Sequence, residues 1–211
     1  MATSSTGMMQ NGWAVTVSGS MRQGNAENAP KIYSPGTHFN AYAYYVSVDK
    51  KINDKHLLSF TGFGAPIEQG RASANTLEAY EMAGTNYYNS LWGYQDGKVR
   101  NSNVSRTHRP MMMLSHIFNP NTTTKLSTSI YYNFGKNSIT GLNWNDAPNP
   151  RPDYYRYLPS YYYMQGDTLN GDILKDNWKN NTNSTQQVNW DRLIAMNQAN
   201  LYSAQGFTNT S

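Results

Sequence analysis

Eight side chains in this sequence have the types that grip a polar organic ligand: Trp92 and Tyr94 in one stretch, and Trp144, Arg151, Tyr154, Tyr155, Arg156 and Tyr157 in another. Aromatic faces stack on sugar rings, and guanidinium forks pair with carboxylates at two points. The combination suits a sugar, a carboxylate-bearing chelate or a peptide. The same residues have a plainer use, in which the tyrosines fill loops and Arg151 and Arg156 pair locally with Asp153.

Other chemistries find less support. The chain has no cysteine, which excludes thiol catalysis, disulfides and thiolate metal sites. His38, His56, His108 and His116 are spread along the chain without His-x-x-x-His or His–carboxylate helical spacing, so no metal site is expected. Asp146, Asp153, Asp167, Asp172, Asp176 and Asp191 could supply a carboxylate pair for glycoside hydrolysis. No rigid framework is visible around them, and solvated loop carboxylates are the expectation; no catalytic residue and no cofactor is assigned. Lys50-Lys51 is the only adjacent basic pair in a chain of net charge +4, whereas a nucleic-acid footprint needs a patch or stripe.

The candidate ligand residues lie outside the regular elements, which are strands. Residues 109–136 hold the clearest pair. In the second arm Leu126, Thr128, Ile130, Tyr132 and Phe134 alternate with Lys125, Ser127, Ser129, Tyr131 and Asn133. Side chains on a strand switch faces at every residue, so one face is apolar and the other polar. The first arm places Met112, Leu114 and Phe118 opposite Ser115, and Asn119-Pro120-Asn121-Thr122 is a turn between the arms. Further strands are expected over about 12–22 (Trp13, Val15, Val17, Gly19 and Met21 on one face), 37–49 (Tyr42, Tyr44, Val46 and Val48) and 56–65, and the hairpin arms cover about 110–118 and 124–135. Pro66 is expected to stop the third strand, in which Gly62 and Gly64 suit a crowded inner face. Residues 1–11 read as a polar tail, and 23–36 as a medium loop.

Two long loops remain, 67–108 and 137–211. Asn75-Thr76-Leu77-Glu78 looks like a capping box opening a short helix that stops at Gly84, and Tyr87 to Lys98 reads as an aromatic loop. Residues 137–191 show no sustained period. In the tail, Leu193, Met196, Asn197, Asn200 and Leu201 at helical spacing predict a second short helix.

Successive connections run about 14, about 6, about 42, about 5 and more than 70 residues, against a usual median of 4–6. Short turns at one end and long loops at the other are the pattern of a transmembrane β-barrel. Arms of about 9–11 residues cross a bilayer when tilted. The low charged fraction, 14% against roughly 25% in soluble domains, and the 17 tyrosines agree with that. So do Trp13, Tyr44-Tyr45, Phe118 and Tyr131-Tyr132 near strand ends, where interfacial girdles sit. No run of about 18 apolar residues offers a membrane helix. The fold class expected is an all-β antiparallel meander, part of a transmembrane barrel, with long extracellular loops and one or two short loop helices. Its lipid face would carry Met112, Leu114, Leu126, Ile130, Tyr132 and Phe134. A secreted β-sandwich that binds glycans through surface aromatics is the alternative.

The phrases TGMMQNGWAVTVSGS, SVDKKINDKHLLSFTGFGAP, AGTNYYNSLWGYQDGKVRNS and NDAPNPRPDYYRYLPSYY resemble the barrel of TonB-dependent outer-membrane receptors. The likeness is to the large Bacteroidota-type receptors with a carboxypeptidase-regulatory-like domain, and it runs from about Thr6 to Ala204. The resemblance implies a section of a barrel of about 22 strands filled by a plug. It further implies outer-membrane lipid around the wall, a TonB complex acting through the plug, and a small-molecule, glycan or peptide ligand at the loops. Plug, TonB box and a terminal strand ending in an aromatic are not found, so the chain is expected to be a barrel fragment unable to transport alone.

Overall fold

The computed structural model describes residues 1–25, 34–144, 148–180, 182–199, 203–204 and 207–208. Asp146, Asn200 and Leu201, and residues 26–33 of the expected medium loop, lie outside the described residues. The chain is mostly antiparallel sheet with short helices, and it divides into two compact units.

The first unit is the sheet. Its strands are β1 (Ala2–Ser5), β2 (Trp13–Asn25), β3 (His38–Lys51), β4 (His56–Gly64) and β5 (Ile67–Gly70). The second unit's hairpin, β6 (Trp92–Gln95) and β7 (Lys98–Asn101), intervenes in the chain before β8 (Val104–His108), β9 (Met111–Phe118), β10 (Leu126–Asn133) and β11 (Lys136–Ile139). The order β2–β3–β4–β9–β10 is a meander in which each long strand pairs with the next. Among the described residues β1 and β10 are the two edges.

The third strand ends before Pro66 as expected, but the sheet does not end there. β4 resumes as β5 after it, β8 runs into β9 across Arg109-Pro110, and β10 into β11 across Phe134-Gly135. Tyr132 lies opposite Met112 and Lys136 opposite His108, so one register holds across the interruption. Proline has no N–H for the ladder, which breaks the pairing without shifting it. Both proline carbonyls still accept, Pro66 from the Tyr42 N–H (3.0 Å) and Pro110 from the Phe134 N–H (3.3 Å). The long loops are shorter than expected as a result, since 67–70 and 104–108 belong to the sheet.

Residues 2–5, expected as tail, pair as β1 with β2, and Thr3 and Ser5 hydrogen-bond Ser18 and Thr16 across the ladder (2.8 and 2.9 Å). The segment ATSS has no large apolar residue to betray a strand. The loops 52–55 and 119–125 are short and Asn-rich. Asn53 Oδ1 accepts from the backbone N–H groups of Lys55 and His56, and Asn121 Oδ1 from Thr123.

Register assigns the faces. Leu126, Thr128, Ile130 and Tyr132 lie opposite Phe118, His116, Leu114 and Met112. These in turn lie opposite His56, Leu58, Phe60 and Gly62, and Gly62, Phe60 and Leu58 lie opposite Val46, Val48 and Lys50. Paired residues in an antiparallel ladder share a face, so one apolar surface runs across four strands. Met112, Leu114, Leu126, Ile130, Tyr132 and Phe134 all belong to it and are exposed, Ile130 at 71%. The opposite face carries Ser47, Ser59, Thr61, Ser115 and Ser129, with Ser115 and Ser129 hydrogen-bonded at 2.8 Å.

Rings mark both ends of the apolar surface. At the short-turn end His56 stacks on His116 and Phe118 (5.2 and 4.4 Å between centroids), and Lys50 lies over Trp13 at 4.7 Å. At the other end are Tyr44, whose hydroxyl meets His108 Nε2 at 3.0 Å, and stacked Tyr132 and Phe134. Tyr45 and Tyr131, grouped with these from sequence, pair with residues of the polar face instead. Gly62 and Gly64 are on the apolar face, not a crowded inner one. A Cβ on Gly64 would stand 2.4 Å from the Tyr44 hydroxyl, so the glycine makes room for that ring.

Candidate functional site

The second unit is built from what the sequence presents as loops. Helix α1 (Leu77–Ala83) opens at Thr76, whose hydroxyl accepts from the Ala79 N–H (3.2 Å), and closes at Gly84 with φ 68°. The start and stop are those expected, but Glu78 completes no capping box. Its carboxylate accepts from the N–H and hydroxyl of Ser160. Tyr87 to Lys98 is no simple loop either, because β6 and β7 form a hairpin across Asp96-Gly97, both with positive φ (48° and 73°). Asp-Gly is a standard two-residue hairpin turn, and that signal was readable.

After a 3-10 turn at Tyr155–Tyr157 come α2 (Pro159–Met164), α3 (Thr168–Asn180), α4 (Thr182–Thr185) and α5 (Trp190–Ala199). Helices α2 to α4 stand where the sequence shows no sustained period, and α5 stands where the tail spacing predicts a short helix. Pro159 sits in the first turn of α2, where its missing N–H costs nothing. Ahead of α3, Asp167 accepts from the N–H and side-chain amide of Asn170, and these donors hold its carboxyl below the usual carboxylate range. Gly171, Leu174 and Trp178 form the inward stripe, and the Tyr163 ring lies where a Cβ on Gly171 would stand. Asn, Asp and Lys fill the rest of α3 and mask the period.

The core of this unit joins Ala79, Tyr88, Leu158 and Trp178, with Tyr88 and Trp178 edge to face at 5.5 Å. Two buried asparagines tie its segments together. Asn89 donates to the carbonyls of Pro35 and Arg71 and accepts from the Leu91 N–H, and Asn101 donates to the carbonyls of Gly36 and Arg71. Sequence reasoning passed over both, since an exposed and a buried asparagine look alike in one sequence.

Ring contacts gather the candidate ligand residues in two groups. Trp92 meets Tyr94 edge-on at 5.4 Å. Trp92 is itself half-buried against Gly36, whose Cβ would clash with the indole, so Tyr94, 43% exposed, presents the open face. Tyr154 meets Tyr155 and Tyr157 edge-on, and the ladder continues through Tyr161 and Tyr162. Tyr155 is its exposed member. Arg156 lies over the Tyr155 ring and donates from Nε to its hydroxyl (2.9 Å), which holds that phenol below its ordinary value. Arg156 therefore pairs with tyrosine, not with Asp153 as expected. Trp144 is partly exposed and joins neither group.

Arg151 is a structural cation. Its Nε donates to Asp153 Oδ1 (2.8 Å), and its Nη2 donates to Asp153 and to the buried Ser90 hydroxyl (3.2 Å). The Asp153 side chain is 9% exposed. Arg151→Ala is expected to cost about 2–3 kcal/mol, somewhat below the figure for a fully buried pair, by leaving that carboxylate unpaired. Chemical denaturation checks this, and an unchanged midpoint would return Arg151 to the list of free ligand contacts. The other aspartates also have partners: Asp172 takes the Tyr163 hydroxyl, Asp176 the Asn180 amide, and Asp191 the Asp96 N–H. Among the described residues no group of three or more His, Cys, Asp or Glu gathers for a metal.

Tyr88 gives this unit an alkaline limit. Its hydroxyl donates to the Gln186 carbonyl (2.9 Å), and burial, then the Asp153 charge, push the phenol far above its ordinary value. The unfolded chain ionises this tyrosine near pH 10 and the folded chain does not. Its contribution to stability is thus whole below pH 10 and drains away as pH rises above it. Tyr88→Phe is expected to flatten the fall in stability between pH 10 and 11.5, while costing about 1 kcal/mol at pH 7 for the lost hydrogen bond. Denaturation midpoints across that range test it, and parallel curves for variant and parent would refute it.

Beside these groups, a cleft of about 450 Å³ is bounded by Gly36, Thr37, His38, Gly97 and Lys98. It is within the size range of small-molecule sites, and Lys98 supplies a cation at its wall. The described residues offer exposed aromatic faces and cations for a polar ligand. Comparison of the chain with family models, curated proteins and solved structures finds no match.

Proposed function

We propose that this chain forms a section of wall and outer loops of a TonB-dependent outer-membrane receptor, which takes up a nutrient or chelate: a siderophore, a glycan or a peptide. The observation that carries the membrane part is the exposed apolar face, bounded at both ends by rings. Along β10 that surface runs from Leu126 to Phe134, about 26 Å at 3.3 Å per residue. Tilted by about 40°, this is about 20 Å of height, near the apolar band of barrel walls. The opposite face is mixed, with Ser47, Ser59, Thr61, Ser115 and Ser129 among Leu57, Phe63, Met113 and Ile117, and its row of hydroxyls is what would face a wet lumen. The short turns that join β3 to β4 and β9 to β10 match periplasmic turns, and the long connections that join β2 to β3 and β5 to β8 match extracellular loops in length. The receptor class rests on the sequence resemblance.

In this reading the chain is not an enzyme. Tyr94, Trp144, Tyr155 and Arg156 offer the accessible faces for ligand, whereas Trp92 and Arg151 position their neighbours. Energy for uptake enters from the TonB complex through a plug. A β-sandwich would instead bury Ile130 and Tyr132 against a second sheet. The deciding experiment is expression of residues 1–211 followed by folding with and without phosphatidylcholine vesicles. Strand signal and protease protection are expected only with lipid, and a cooperatively folded monomer in detergent-free buffer would overturn the membrane reading.

A further inference from the structure

Just beyond the outer ring row, the apolar face changes character. Lys136 lies opposite His108 and Ser138 opposite Arg106, continuing the register that sets Tyr132 opposite Met112. The face therefore passes within four residues from Tyr132 and Phe134 to a groove of about 470 Å³ lined by Tyr42, Glu68, Arg106, His108, Lys136 and Ser138. Glu68 accepts from the Nε edge of Arg106, whose side chain is still 53% exposed. His108 is steadied by the Tyr44 hydroxyl, and Lys136 is exposed.

Two permanent cations, Arg106 paired with Glu68 and Lys136 exposed, thus follow along the strands directly after the exposed apolar face, with a histidine and hydroxyl donors beside them. Arginine and lysine bind phosphate by charge and hydrogen bonds, and a cation at a membrane surface attracts anionic lipid. We infer that this groove is a binding site for the phosphate-bearing headgroup of a membrane lipid whose acyl chains lie along Met112, Leu114, Ile130 and Tyr132. The inference rests on the membrane reading above, and it adds a fixed lipid to the outer rim of the wall. The site recognises a phosphate monoester, which accepts from both cations at once, and the chains below hold the lipid in place.

The test uses the full chain in neutral-detergent micelles, with native mass spectrometry reading lipid retained per chain. The probes are phosphatidic acid, the matching diacylglycerol without phosphate, and inorganic phosphate as competitor. Phosphatidic acid is expected to bind at one copy per chain, with diacylglycerol at least tenfold weaker. Arg106→Gln and Lys136→Gln are each expected to weaken binding about fivefold. Glu68→Gln, which removes the competing carboxylate without removing a cation, is expected to strengthen it.

Equal retention of the two lipids, full affinity in the Arg106→Gln/Lys136→Gln double variant, or complete displacement by equimolar inorganic phosphate would each overturn the site. Far-UV circular dichroism separates this failure from that of the membrane reading. A chain folded only in detergent but indifferent to phosphate loses this site alone. A chain folded and monomeric without detergent loses both.

Discussion

If the proposed barrel reading holds, Ile130→Arg is expected to destabilise the chain folded in lipid by about 2–4 kcal/mol, the cost of arginine at the middle of a barrel's lipid face. Ile130 lies midway along the exposed apolar surface, opposite Leu114 and two residues from Tyr132. Its neighbour Ser129 points to the other face, where it hydrogen-bonds Ser115. Ser129→Arg is therefore expected to cost under about 1 kcal/mol, because a charge there meets water. Urea titrations of folding into phosphatidylcholine vesicles compare the two. Adjacent positions with equal losses would mean that neither face meets lipid. The contrast tests the face assignment itself, since both changes add the same charge to one strand.

The second large effect is expected in the other unit. Trp178 is 1% exposed, meets the Tyr88 ring edge-on and donates from its indole to the Tyr157 carbonyl (3.3 Å). Trp178→Ala removes the largest side chain of this core and is expected to cost about 3–5 kcal/mol. Its cluster with Ala79, Tyr88 and Leu158 is one part of a core that also buries Leu91, Val104, Val188 and Trp190, so the loss is expected to fall first on α3. Circular dichroism at 222 nm and amide exchange over α3 report that loss. Leu169→Ala on the same helix, where the leucine is 70% exposed, serves as control and should change stability by under about 0.5 kcal/mol. If the two variants matched, the core would lie elsewhere.

These two experiments fall on opposite sides of what the sequence makes legible. Strands announce themselves where one face is apolar and the other polar, so β2, β3, β4, β9 and β10 can be read within a few residues of their bounds. The hairpin pairing of Leu126 with Phe118 follows from its short turn. β1 is invisible because all four of its residues are small and exposed, and β5, β8 and β11 hide behind two prolines and a glycine. Of the second unit's helices, α1 is marked by its cap and its glycine stop and α5 by its spacing. By contrast α2, α3 and α4 are short and polar, with stripes too sparse to raise a period above the background of Asn and Asp.

The candidate site was legible by residue type but not by role. Arg151 and Arg156 look equivalent in sequence. Only the positions of Asp153 and the Ser90 hydroxyl make the first a structural brace, and only the Tyr155 ring beneath the second leaves it at the surface. The His56–His116 contact and the Glu68–Arg106 pair, each joining residues far apart in sequence, depend on register. No local pattern encodes register between strands so far apart in the chain.

The unbroken register across Pro66 and Pro110 also bears on how the sheet breathes. Each proline accepts a hydrogen bond from a neighbouring strand but returns none, and both stand between an inner and an outer strand segment. The ladder is thereby divided into two cooperative blocks. The outer segments β5, β8 and β11 can exchange their amide protons by opening down to the prolines, while β4, β9 and β10 stay paired. Amide exchange is therefore expected to be faster in β5, β8 and β11 than in β4, β9 and β10, with β3, unbroken from His38 to Lys51, spanning both.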